Sequence, residues 1–195
     1  MKRLFALLTA LLLLTGCSQL ETPPEDEDIL FPLEEQADTT EATALPEVFS
    51  LPYLSTQPLN PLACPDGMQQ TVASLLYEGL FHLDGQFTPQ PLLCASYTYD
   101  PEALTYVLTL RQGVVFSDGS PLTAADVKAT LTAARSSARY APRLADVKSI
   151  SAGNGTVTLT LSRPNSALPA LLDIPILKSG TEKKDSPTGT GPYLY

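Results

Sequence analysis

A mixed α/β (α+β) fold is predicted by three features of the chain: two segments with helical apolar spacing, several short runs that alternate apolar and polar residues, and turn residues separating them. At 195 residues with 44% hydrophobic content, the chain is long enough for one ordinary domain with a sizeable core. No internal repeat stands out.

Folded structure is expected from Glu47. There Val48, Phe49, Leu51, Tyr53 and Leu54 form a strand-like apolar cluster before the turn residues Pro58, Asn60 and Pro61. A helix fits Asp66 to Glu78, with Asp66 as N-cap and Met68, Val72, Leu75 and Leu76 on one face; Gly79 ends it. Short strands are expected at Leu80 to Leu83, Tyr97 to Tyr99 and Leu104 to Leu110. Next comes a compact unit. Arg111 ends a strand, Gly113 permits a change of direction, Val114 to Phe116 extend, and Asp118 with Gly119 turn the chain. Thr123 and Asp126 then read as a Thr-x-x-Asp capping box opening a helix to about Ala134. Val147 to Ser151 and Thr156 to Leu161 flank Ala152, Gly153, Asn154 and Gly155, a hairpin whose glycines supply positive φ. A helical turn near Ser166 to Leu172 and a strand-like Ile174 to Leu177 follow.

The N-terminus has a different character. Met1, Lys2 and Arg3 precede an apolar run from Leu4 to Leu14, which reads as a secretory signal. That run is too short to span a bilayer, which takes about 20 residues. It ends in Leu14, Thr15, Gly16, Cys17, which resembles the lipobox of bacterial lipoproteins. The resemblance implies cleavage after residue 16 and acylation of Cys17, the expected lipid anchor, which would hold the protein at a membrane by buried acyl chains. Residues 17–46 are rich in Glu, Asp, Thr and Pro and poor in apolar residues, so they are expected to be a disordered, self-repelling tether.

The formal charge of −9 is concentrated in that tether. Ten acids and no Lys or Arg lie between Cys17 and Phe49, whereas from Ser50 onward eleven acids face ten bases. No clustered basic face is visible, so nucleic acid is not an expected partner. Cys64 and Cys94 could pair after export or could sit as small buried thiols; the sequence leaves both open. His82 is the one histidine and has no metal-ligand spacing around it, so no metal or other cofactor is expected. A hydrolase is disfavoured, because the chain lacks a Gly-x-Ser-x-Gly elbow, a His-Glu-x-x-His helix and a glycine-rich phosphate loop.

Tyr106 to Lys128, YVLTLRQGVVFSDGSPLTAADVK, closely resembles the signature of the family 5 extracellular solute-binding proteins, the oligopeptide, dipeptide and nickel-binding group. The resemblance rests on Leu110, Arg111, Gly113, Val114, Phe116, Asp118, Gly119, Leu122, Thr123, Ala124, Asp126 and Val127. It extends to Leu59 to Leu62, Tyr77 to Phe81 and Gly189 to Tyr193. It implies that residues 47–195 are the N-terminal part of the first lobe of a type II periplasmic-binding-protein-like fold, with the second lobe absent. The implied function is that of a substrate-binding lipoprotein of an ABC importer. It would capture a small solute, foremost a peptide, and pass it to permease subunits in the membrane to which Cys17 anchors it. The alternatives are a truncated or decayed lipoprotein acting as an interaction module and, behind it, a lipoprotein hydrolase. The resemblance also brings Asn60, Tyr77 and Glu78 forward as substrate-binding candidates at the cleft edge. Arg111 and Asp118 are expected to serve the hairpin rather than a ligand.

Overall fold

The computed structural model describes residues 50–64 and 66–195, all within the unit Val48–Tyr195. The signal, the tether and Cys17, with Val48 and Phe49, lie outside the described residues. In chain order the elements are α1 (Gly67–Leu76), β1 (Phe81–Leu83), β2 (Pro89–Pro91), β3 (Cys94–Asp100), β4 (Thr105–Leu110) and α2 (Ala124–Ala134). A 3-10 turn (Ala141–Leu144), β5 (Val147–Ala152), β6 (Thr156–Leu161) and the single-turn α3 (Leu168–Leu171) follow. The mixture of helix and strand is the one the sequence predicts.

Strands β3 to β6 form one antiparallel sheet in the order β3-β4-β6-β5, and β1 pairs with β2 in a separate hairpin. Alternation decides which face of the large sheet is buried. Tyr106, Leu108 and Leu110 of β4 and Val157, Leu159 and Leu161 of β6 all point inward, because side chains two apart share a face. Helix α2 packs against β5 and β6, and its buried Val127, Leu131 and Ala134 recur at helical spacing. Burying a side chain such as Val127 or Leu131 contributes about 2 kcal/mol. Leu168, Leu172, Ile174 and Ile176 close the same core. A smaller cluster of Leu59, Ala73, Leu76, Tyr77 and Leu177 lies under α1, and Leu62 packs against both.

Thr130 links these layers. It is fully buried on α2, and its hydroxyl donates to the Leu177 carbonyl and accepts from the Leu177 N–H, each at 3.0 Å. Thr130→Val is therefore expected to destabilise by about 2 kcal/mol, since both polar groups of Leu177 lose their partner in a dry site. Chemical denaturation would show this as a lower midpoint with an unchanged slope.

Several boundaries differ from the sequence reading. Leu51, Tyr53 and Leu54 are not in a strand and are exposed; this segment is held from α1 by polar bonds instead. Gln69, fully buried on α1, accepts the Leu54 N–H at 2.8 Å and donates to the Leu54 and Gln57 carbonyls. Consequently the buried face of α1 is Gln69, Ala73 and Leu76, and Met68 is 44% exposed. The helix stops at Leu76, short of Glu78, because Tyr77 already has extended backbone. Strand β2 has prolines at both ends, a composition that argues against a strand unless it lies at an edge. Ile174, Ile176 and Leu177 are buried, but residues 174–177 form no named strand; Ile176 donates to the Glu78 carbonyl at 2.8 Å and Pro175 bridges Gly79. In the β5–β6 turn only Gly155 has positive φ, at 71°. Cys64 and Cys94 are both buried and unpaired, and burial pushes the Cys94 thiol up to about 11.

Candidate functional site

Residues 178–192 cross between the two clusters and meet most of the residues that the sequence singles out. Their path is set by backbone bonds. Lys178 donates to Thr188 O at 2.9 Å, closing an excursion of the chain, and Gly191 and Tyr193 donate to Leu76 O and Leu75 O at the end of α1. These two bonds satisfy helix carbonyls that would otherwise have no intrahelical donor.

Asn60 is 2% exposed, and its amide donates to Glu182 O at 2.7 Å and Lys184 O at 2.8 Å while its side-chain oxygen accepts the Leu62 N–H at 3.0 Å. Tyr77 is buried, its hydroxyl donates to Pro187 O at 3.0 Å, and burial pushes its pKa up to about 12. Both side chains therefore hold the 182–187 backbone with their polar groups. Glu78 is partly buried and its carbonyl accepts the Ile176 N–H. The three candidates do not share one cavity. Asn60 lines a cavity of about 800 Å3 between the turn at 58–63, α2 and residues 180–185. Tyr77 and Glu78 line a second of about 540 Å3 with His82, Arg139, Arg143 and Asp173. In this second cavity the Arg143 guanidinium pairs with Asp173 and stacks over the Tyr140 ring at 5.3 Å from its centroid.

Asn60→Ala is expected to cost about 2 kcal/mol and to loosen residues 182–184, because two carbonyls and the Leu62 N–H lose a buried partner. Faster amide exchange in a peptide covering residues 178–188, read against the rest of the chain, would check it.

The signature segment grips the same stretch from the other side. Gly113 and Gly119 have φ of 75° and 81°, and Phe116 N–H to Ser120 O at 2.8 Å and Gly119 N–H to Phe116 O at 2.8 Å shape the turn. Asp118 accepts from Ser120 and from the Lys178 ammonium, and these contacts hold its carboxyl well below the usual range. A depressed carboxylate supports the fold above its unfolded pKa and loses that support as pH falls through the folded value, so acid weakens the contact. Ser117 donates to Gly189 O at 2.9 Å. Asp126 uses one oxygen for the capping box, accepting the Thr123 N–H at 2.9 Å, and the other for the Ser179 N–H at 2.9 Å. Arg111 donates from Nε to Leu92 O at 2.8 Å, a structural contact.

Two participants had no clear sequence signal. Gln69 and Thr130 could have been noticed only as polar residues on otherwise apolar helix faces. His82 is exposed on β1 opposite Gln90, and among the described residues no group of three metal-ligating side chains forms. No helix among the described residues is long and apolar enough to cross a membrane.

Comparison with known proteins places this architecture. The profile of bacterial extracellular solute-binding proteins, family 5, matches residues 88–195, and that of the prokaryotic membrane lipoprotein lipid attachment site matches residues 1–18. The protein is thus lipid-anchored and extracytoplasmic. The glutathione-binding protein GsiB of Escherichia coli K12 is 36% identical over 148 residues, covering 69% of this chain and 29% of GsiB. Among solved structures, NikZ from Campylobacter jejuni in complex with Ni(L-His) superposes with a TM-score of 0.61 at 27% identity, covering 73% of this chain and 31% of NikZ. The oligopeptide-binding protein AppA from Bacillus subtilis, in complex with a nonapeptide, shares the fold with a TM-score of 0.59 at 23% identity, covering 74% of this chain and 32% of AppA. The chain spans less than a third of the length of each. These relatives are solute-binding proteins rather than enzymes. With its signature segment folded as a turn and capped helix that grip residues 178–192, the chain belongs to the bacterial extracellular solute-binding proteins, family 5.

Proposed function

We propose that the protein is a substrate-binding lipoprotein of an ABC importer, anchored through an acylated Cys17, which captures a small solute and delivers it to a membrane permease. A peptide is the favoured solute. The observation that carries the reading is the 36% identity to a glutathione-binding protein along 148 residues, since glutathione is itself a small peptide. No covalent chemistry is assigned to the protein. Binding would act by favouring one arrangement of the lobes through differential affinity. Residues 47–195 supply part of the first lobe in this reading.

Asn60 and Tyr77 contribute to the cleft edge as positioning residues, since their polar groups already hold the backbone of residues 182–187. Glu78 is the candidate for direct solute contact, because its carboxylate has no hydrogen-bond or ion-pair partner among the described residues. Import of radiolabelled glutathione and short peptides by cells lacking the gene tests the function. Uptake should fall and return when the wild-type gene is restored. Unchanged uptake of every peptide, together with loss of a hydrolytic activity, would instead favour the enzyme reading.

A further inference from the structure

We draw no further inference here: the strongest candidate, the cavity beside the C-terminal end of α1 that Glu78, His82, Arg139 and Asp173 line, belongs to the site already described, and a charged solute held there restates an established property of the family.

Discussion

Gly191→Ala is expected to lower the melting temperature by about 10 °C. A Cβ at Gly191 would lie 2.4 Å from Leu75 O and from the Leu76 carbonyl carbon; at Gly189 it would lie 2.2 Å from Leu76 O and 2.4 Å from the Tyr77 ring. The opposing atoms are mostly helix backbone, which cannot swing aside as a surface side chain would. Residues 189–193 must therefore move away from α1, which breaks the bonds from Gly191 to Leu76 O and from Tyr193 to Leu75 O. Overpacking of this kind costs about 3 kcal/mol, and lost caps add to it. Gly189→Ala should be comparably severe, whereas Gly67→Ala, with open space around its Cβ, should not be. Differential scanning fluorimetry of the three variants separates the steric effect from a general intolerance of glycine substitution.

Asp126→Ala is expected to cost about 3 kcal/mol, well above the roughly 1 kcal/mol of an ordinary helix cap. The excess follows from the second oxygen. One carboxylate oxygen caps α2 through the Thr123 N–H, and the other accepts the Ser179 N–H from a segment 53 residues away, in a side chain that is 7% exposed. Asp126→Asn keeps one acceptor oxygen and should recover about half of the loss. The distinguishing readout is amide exchange. Alanine should speed exchange at both Thr123 and Ser179, whereas a residue that merely caps its own helix would affect only the first.

The candidate site was legible to different depths at different residues. Asn60 and Tyr77 came forward through resemblance alone, and their sequence neighbourhoods do not show that both hold the backbone between Glu182 and Pro187. Asp118 looked like hairpin chemistry and does shape its own turn through Ser120, yet it also reaches Lys178, 60 residues on. Gln69 carries no apolar signal on α1; a buried glutamine facing loop carbonyls breaks the apolar pattern it sits in.

Local rules set much of the rest. Alternation in β4 and β6, the Asp66 and Thr123 caps, and the turns at Gly113, Gly119 and Gly155 depend on neighbours within a few residues, so they can be read in one dimension. The family also follows from the sequence, because its motif is a contiguous stretch of such local features. Only the tertiary structure decided that α1 ends at Leu76, that Leu51 to Leu54 is tied down by Gln69 rather than paired as a strand, and that the two cysteines stay apart. It also decided that Asp118, Asp126, Asn60 and Tyr77 converge on residues 178–187. The physical reason is the same in each case. A hydrogen bond between residues tens of positions apart leaves no periodicity in the chain, and a helix end is set by whichever distant backbone arrives to cap it.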